Sequence, residues 1–257
     1  MAEIFFWTVL LLLEKEGGAM KVVGVIPARY ASSRFPGKPL ADIHGKPMIW
    51  WVYQQALKVP ELNEVIVATD DQRIQTVCQS LSLQVLMTSD KHPSGVDRIS
   101  EVAALVSSNI YVNIQGDEPL IRPEAISQVI GALRDTVVYA TLKYKLTDRK
   151  EAESHNTVKI VVDENNDAMY CSRSMIPHSD ISLNNTYRLM GLYAYRRDFL
   201  IEFGKMPQSK LEIAEGGVEP LRVMEKGYKL RALDTRYTSI GVDTTRDLQR
   251  VIEILRQ

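Results

Sequence analysis

The residues best suited to chemistry lie in one loop, residues 27–40, near the beginning of the chain. It carries the cationic side chains of Arg29, Arg34 and Lys38 together with Gly37. Arginine offers phosphate oxygens a planar fork, lysine offers a point charge, and glycine allows the backbone to come close. The loop fits neither the P-loop nor the dinucleotide fingerprint. Its composition suits a triphosphate, although an ordinary solvated loop with scattered basic residues is the alternative.

A second group of candidates is acidic. Asp117 and Glu118 directly follow the apolar run 110–114 and a glycine. Adjacent carboxylates at the end of a buried strand are costly unless they are paired or bind a cation. Mg²⁺ is typically held by one or two carboxylates together with phosphates and water, so the pattern favours a magnesium site. The alternative is that Asp117 caps the helix expected near Pro123.

The elements that position these residues alternate between strand and helix in the first half of the chain. Apolar, β-branched runs predict buried strands at 22–26, 64–70, 84–88 and 110–114. Helices are expected to begin near Pro47, Asp71, Ser94 and Pro123, where Asp71 and either Ser94 or Asp97 can serve as N-caps. This alternation predicts an α/β fold with a parallel, doubly wound sheet and helices on both faces. Ligands bind such sheets at the carboxyl ends of the strands.

The second half changes to consecutive strands. We predict strands at 137–146, 158–162, 168–172, 187–195 and 229–234, with a hairpin between the second and the third. This pattern indicates a mixed sheet with a small antiparallel lobe. The helical segment 211–226 contains Gly216, Gly217 and Pro220. Glycine and proline cost roughly 1 and 3 kcal/mol in a helix interior, so we expect this segment to be kinked or rebuilt.

Composition narrows the functional classes. The 257 residues are 45% hydrophobic and 25% charged with a formal net charge of -1, which is typical of a globular protein and disfavours broad nucleic-acid binding. Neither cysteine is part of a CxxC pair, and the four histidines are isolated, so buried thiols and no zinc site are expected. The apolar run 4–13 is too short for a helix of roughly 20 residues that spans a bilayer. We expect residues 1–19 to form an extension outside the fold, the alternative being a short membrane-touching amphipathic helix.

The sequence of the basic loop, IPARYASSRFPGKPL at 26–40, resembles the opening motif of the 3-deoxy-manno-octulosonate (Kdo) cytidylyltransferases, or CMP-Kdo synthetases. The resemblance continues in order through GKPMI at 45–49, VATDD at 67–71, SGVDR at 94–98, NIQGDEP at 113–119 and GVDT at 241–244. It implies a Rossmann-like, GT-A-like nucleotidyltransferase domain over residues 20–257, with a sugar-binding and dimerisation lobe at about 137–210. It also implies a cytoplasmic homodimer that acts in lipopolysaccharide or capsule synthesis.

The resemblance further implies the reaction and its residues. CMP would pass from CTP to the anomeric hydroxyl of Kdo, or of a closely related keto-deoxy sugar acid, with release of pyrophosphate and with Mg²⁺ as cofactor. Catalytic roles fall to Arg34, Lys38 and Asp117. Nucleotide binding falls to Ala28, Arg29, Arg34, Lys38, Ser94, Gly95 and Arg98. Sugar-acid binding falls to Gln115, Arg173, Tyr193 and Glu215, and metal binding to Asp117 and Asp243. From the residues alone, Asp243 is equally an N-cap of the last helix.

Two departures affect the sugar half. Leu189, Met190 and Gly191 stand where the family usually has His-Leu-Gly, so a histidine contact to the sugar is missing. The segment with Gly216, Gly217 and Pro220 is the other. A different acceptor, such as amino-Kdo, another ulosonic acid or a phosphonate, is therefore an alternative. A non-catalytic nucleotide-binding homologue and a glycosyltransferase that uses nucleotide sugars are the competing classes.

Overall fold

A mixed sheet of nine strands organises the part of the chain that the computed structural model describes, which is residues 20–31, 35–178 and 182–256. The first six strands in chain order are β1 (Val22–Ala28), β2 (Asp42–Ile43), β3 (Lys46–Pro47), β4 (Glu64–Thr69), β5 (Val85–Met87) and β6 (Ile110–Asn113). They are followed by β7 (Tyr139–Lys145), β8 (Lys159–Val162), β9 (Ala168–Ser172), β10 (Tyr187–Arg196) and β11 (Arg231–Asp234). The strand order is β11-β7-β10-β6-β1-β4-β5, and β8 joins β10 to β9. Strands β2 and β3 form a separate two-stranded sheet.

The first half of the sheet is parallel, as the alternating pattern predicts. Strand β1 pairs in parallel with both β4 and β6, and β4 pairs in parallel with β5. In the second half, β10 lies antiparallel between β6 and β7, and β8 and β9 form the predicted hairpin. The fold is therefore a mainly parallel α/β sheet with a small antiparallel lobe, which confirms the predicted fold class.

Helices cover both faces of the sheet. They are α1 (Met48–Ala56), α2 (Gln72–Ser80), α3 (Gly95–Leu105), α4 (Pro123–Gly131), α5 (Arg149–Glu153), α6 (Arg197–Lys205), α7 (Lys210–Ala214), α8 (Pro220–Met224) and α9 (Thr245–Ile254). On one face Ile26 belongs to a core with Val52 of α1 and Ile126 of α4. On the other face Val25 belongs to a core with Ile99 of α3. Successive side chains of β1 therefore enter opposite cores, as expected for a strand buried on both faces.

The helix ends follow the predicted capping chemistry in two places. The Asp71 side chain accepts a hydrogen bond from the Arg73 N–H and caps α2, and Ser94 and Asp97 form a reciprocal capping box at the start of α3. Pro47 is the residue before α1 rather than its first residue. Proline is compatible with either position, because its fixed φ suits both the N-cap and the first helical residue.

The predicted break in the segment 211–226 is present. Helix α7 ends at Ala214, and α8 begins only at Pro220. Gly216 and Gly217 between them have φ values of 66° and 84°, a left-handed conformation that favours glycine. The chain therefore turns at this pair, and the two short helices pack as separate elements.

Both cysteines, Cys78 and Cys171, are free and buried, as expected. Burial raises the pKa of Cys78 to about 11 and that of Cys171 to about 12. Over the described ranges, none of the helices combines the length and the hydrophobicity that a bilayer crossing requires.

Candidate active site

Three loops meet at the carboxyl ends of the parallel strands, which together are called here the carboxyl edge of the sheet. Ala28 at the end of β1 is in register with Thr69 at the end of β4, and Val25 of β1 is in register with Asn113 at the end of β6. The basic loop, the VATDD segment and the QGDEP segment therefore leave the sheet side by side. This is the edge where open α/β sheets bind ligands.

At this edge Lys38 lies between two carboxylates. Its Nζ atom is 2.5 Å from Oδ2 of Asp117 and 3.4 Å from Oδ1 of Asp243. The Val242 N–H donates to the main-chain carbonyl of Asp117 at 2.9 Å, which fixes the loop that carries Asp243 beside the end of β6. Three residues that the sequence assigned to the site thus come together from three distant parts of the chain.

Neither carboxylate serves as a helix cap. The N-cap of α9 is Thr244, which forms a capping box with Asp247, and the N-cap of α4 is Arg122, with no side-chain cap hydrogen bond. The side chains of Asp117 and Asp243 are 30% and 41% exposed, so both can reach a bound ion. Among the residues that the structure describes, no group of three or more His, Cys, Asp or Glu side chains could hold a metal. A pair of carboxylates nevertheless fits Mg²⁺, because substrate phosphates and water supply its other ligands.

Lys38 is placed by the turn that precedes it. Gly37 has a φ of 69°, and a short 3₁₀ helix spans Lys38–Leu40. The Gly37 N–H donates to the carbonyl of Tyr30 at 2.9 Å, which closes the basic loop at its base. The guanidinium of Arg73 lies 3.3 Å from the centre of the Tyr30 ring and is bound by Asp71. The base of the loop is therefore held from α2 as well as from β1.

The other predicted residues of the nucleotide half have defined positions, except Arg34, which lies outside the described residues. Ala28 is the last residue of β1, and Arg29 donates to the carbonyl of His92 at 2.9 Å. Burial, and then the charge of Arg98, lower the pKa of Arg29. The Arg98 side chain is fully buried and donates to Asp70 and Thr88. Its position is that of a buried link between the end of β4 and helix α3, and a direct contact to the nucleotide stays a prediction.

The Ser94 loop is held by several side chains. Besides its capping box, the N–H of Val96 donates to Oε1 of Glu219 at 3.2 Å. Gly95 lies close to the same oxygen, which would be 3.7 Å from a Cβ at that position. The loop therefore has a fixed backbone at the N-terminus of α3, where the N–H groups of Ser94 and Val96 are bound by Asp97 and Glu219.

The residues assigned to the sugar acid divide into two places. Gln115 donates to the carbonyl of Gly191 at 3.0 Å, next to an irregularity in the pairing of β10 with β7 between Leu189 and Tyr193. Bulges of this kind are frequent next to active sites. Tyr193 itself is 7% exposed and packs in an aromatic cluster, with its ring centre 5.7 Å from that of Tyr139. Its predicted contact to the sugar can involve only the small exposed part of its side chain.

Arg173 and Glu215 contact each other at the end of β9. The guanidinium of Arg173 donates to the carbonyls of His155, Glu215 and Gly216. The Glu215 carboxylate accepts from the hydroxyl of Ser172 and from the main chain of Arg173, both at 2.7 Å. Binding a carboxylate ligand at Arg173 would therefore replace some of these contacts.

Two properties of this region were not predicted from the sequence, namely the raised pKa of Glu118 and the burial of Arg222. Burial, and then the charge of Asp117, raise the pKa of Glu118 to about 7. Arg222 of α8 is fully buried and forms ion pairs with Glu212 and Asp97. The only signal in the sequence is an arginine among apolar residues of α8, which does not indicate its distant partners.

A mainly parallel sheet that gathers a basic loop, an ammonium and two carboxylates at its carboxyl edge is the architecture of a nucleotidyltransferase. Residues 23–234 match a family model described as Cytidylyltransferase. A 3-deoxy-manno-octulosonate cytidylyltransferase of Geobacter metallireducens is 44% identical over 250 residues, which cover 92% of this chain and 98% of that protein. One from Leptospira interrogans is 47% identical over 236 residues, 91% of this chain and 95% of that protein. The chain therefore belongs to the 3-deoxy-manno-octulosonate cytidylyltransferase family.

Solved structures agree with this assignment. A CMP:2-keto-3-deoxy-manno-octonic acid synthetase complexed with CTP has a TM-score of 0.86 and 44% identity, and the match covers 92% of this chain and 99% of that one. A 4-diphosphocytidyl-2C-methyl-D-erythritol synthase from Anaerococcus prevotii has a TM-score of 0.63 at 15% identity, over 92% of this chain and 99% of that one. The second likeness shows the shared fold alone.

Proposed function

We propose that this chain transfers CMP from CTP to the anomeric hydroxyl of Kdo and releases pyrophosphate. The observation that carries the proposal is the contact of Lys38 with Asp117 and Asp243 at the carboxyl edge of the sheet. It occurs in a chain that is 44% identical to a Kdo cytidylyltransferase over 92% of its length. Cytoplasmic location, a homodimeric state and a role in lipopolysaccharide or capsule synthesis belong to the same proposal by family resemblance.

The chemistry requires alignment and charge cancellation rather than a protein nucleophile. Lys38, Arg29 and Arg34 neutralise and orient the triphosphate. The sugar hydroxyl oxygen then forms a bond to the α-phosphorus, the bond from the α-phosphorus to the bridging oxygen of pyrophosphate breaks, and the hydroxyl proton passes to solvent. Asp117 and Asp243 would hold Mg²⁺, which when bound supplies positive charge to the phosphates and lowers the pKa of a coordinated hydroxyl. By the family resemblance, the Ser94 loop at the N-terminus of α3 contacts the pyrimidine base of the nucleotide.

A second candidate function, cytidylyl transfer to another sugar acid, is favoured by two observations. Leu189 is 6% exposed and packs in the core, so it cannot replace a polar contact to the sugar. The guanidinium of Arg173 already donates to three main-chain carbonyls. Both features lie in the acceptor half, while the nucleotide half keeps its motifs.

The test is pyrophosphate release by the full chain with CTP and Mg²⁺ across a panel of Kdo, amino-Kdo, another ulosonic acid and a phosphonate. Release with Kdo at the highest kcat/KM supports the first candidate. Release with another acid at a higher kcat/KM supports the second. If CTP binds but no acid of the panel leads to release of pyrophosphate, both candidate functions are contradicted and a non-catalytic homologue is favoured.

A further inference from the structure

The most extensive buried charge network among the described residues surrounds Arg222. Its Nε and Nη2 atoms each donate to a carboxylate oxygen of Glu212 at 2.7 Å. Its Nη1 atom donates to Oδ1 of Asp97 at 2.8 Å, and Nη2 is 3.4 Å from the Ser94 hydroxyl. The side chains of Arg222 and Glu212 are fully buried, and that of Asp97 is 7% exposed. One guanidinium thus joins α7 to the loop at the start of α3.

A second side chain of the same segment reaches the same loop. Glu219, the residue just before α8, accepts from the N–H of Val96. Burial raises the pKa of Glu219, while hydrogen bonds from Ser94 and Val96 act in the opposite direction. Glu219 and Arg222 therefore contact the backbone and the side chains of the Ser94–Asp97 loop from one side.

The other end of this segment reaches the residues assigned to the sugar acid. Glu212 lies in α7, and Glu215 at the end of α7 binds Ser172 and the main chain of Arg173. Gly216 and Gly217 give the turn that lets α8 fold back after α7. The segment 209–224 therefore contacts both the nucleotide loop and the acceptor side.

We infer that Arg222 and Glu219 are positioning residues for nucleotide selection: they hold the Ser94–Asp97 loop in the position from which it distinguishes cytosine from uracil. This inference rests on the proposed function, in which the loop contacts the base of the nucleotide. Neither residue needs to touch the substrate. Their action is through the main chain at Ser94 to Val96 and through the Asp97 carboxylate, so a change in either moves the groups that meet the base.

The test compares Arg222→Lys and Glu219→Ala with the wild-type protein and with Arg231→Lys as the control. Lysine keeps the positive charge of Arg222 but cannot maintain the paired contacts to Glu212 together with the contact to Asp97. Glu219→Ala removes the acceptor of the Val96 N–H and leaves the capping box of α3 in place. Arg231 pairs with Asp167 on the edge strand β11, so its substitution weakens an arginine–carboxylate pair outside the site.

Dissociation constants for CTP and UTP are measured by calorimetry, together with kcat, KM and the melting temperature. We expect each site variant to bind CTP about tenfold more weakly, to discriminate CTP from UTP less well by a similar factor, and to keep kcat within about threefold. The control should resemble the wild type. A purely structural role would instead lower kcat through the fraction of folded protein and leave KM and the CTP/UTP ratio unchanged, which would overturn the inference.

The use of two variants keeps the test decisive if one of them does not fold. If Arg222→Lys fails to fold, Glu219→Ala decides, because it removes the hydrogen bonds from Ser94 and Val96 and no ion pair. An unchanged CTP/UTP ratio in folded Glu219→Ala overturns the inference while the proposed function stands. Failure of the wild type to bind CTP would instead contradict the proposed function itself.

Discussion

The substitution Asp117→Asn separates catalysis from stability. Asparagine keeps the size of the side chain and removes its charge, which faces the Lys38 ammonium at 2.5 Å. The Asp117 side chain is 30% exposed, and partly exposed ion pairs contribute about 1 kcal/mol or less. For a domain of this size that is a decrease of about 2–4 °C in melting temperature. The hydrogen bond from Val242 to the Asp117 carbonyl involves only the main chain and is retained.

The catalytic activity of Asp117→Asn should decrease far more than its stability. A carboxylate that holds the catalytic cation acts on charge that develops in the transition state. We expect its loss to cost about 10²–10³ in kcat, the magnitude found when one preorganised hydrogen-bond donor to such charge is removed. The assay is continuous pyrophosphate release with saturating CTP, Mg²⁺ and the best acceptor, alongside thermal unfolding. Asp198→Asn is the control, because that side chain is 99% exposed. Retention of more than about a tenth of wild-type kcat by Asp117→Asn would refute the assignment of this carboxylate.

Two further predictions concern the basic loop and its support. Lys38→Met should raise the KM for CTP by roughly 10-fold to 150-fold, as expected for loss of a charged hydrogen bond worth about 1.5–3 kcal/mol. The control Lys58→Met, on the surface, should leave this KM unchanged. An unchanged KM in Lys38→Met would argue against a contact between Lys38 and a phosphate. Hydrogen bonds from Arg73 lower the pKa of Asp71 from its ordinary 3.8, so its charge stabilises the fold above pH 3.8 and this stabilisation is lost as pH falls through the lowered pKa. Asp71→Asn should therefore be less stable than the wild type at pH 7, and the difference in denaturant titrations should shrink as the pH is lowered below 3.8. Equal stability at pH 7 would contradict the contribution of this charge.

Local features of the fold could be predicted because they depend on neighbouring residues. The buried run of β1, the cap at Asp71 and the break at Gly216 and Gly217 each follow from sterics or hydrogen bonding within a few residues. The boundaries of several strands differ by one or two residues from the expected ones; β7, for example, spans Tyr139–Lys145 rather than 137–146. Twist and pairing at strand ends decide these positions, and they depend on the neighbouring strands.

The contacts of the site join residues that are distant in the sequence, so they were harder to predict from it. Resemblance pointed to Lys38, Asp117 and Asp243, but spacing alone left Asp243 as a helix cap, and only the fold shows that Thr244 has that role. The burial of Tyr193 in an aromatic cluster and the pairing of Arg222 with Asp97 join residues that are far apart in sequence. No local pattern encodes such pairs, because hydrophobic periodicity reports which face is buried and not its partner.

The position of β10 has a consequence for the order in which this protein can fold. Strand β7 pairs only with β10 and β11 among the described strands, and β6 pairs with β1 and β10. Strand β6 therefore stays an edge strand until the ribosome has released the chain beyond Arg196, the last residue of β10. Until then a nascent chain would expose the edge of β6, and such unpaired edges promote aggregation. Cotranslational folding should thus stop at a partial sheet with the order β6-β1-β4-β5, and the nucleotide half should not complete its folding as an independent unit.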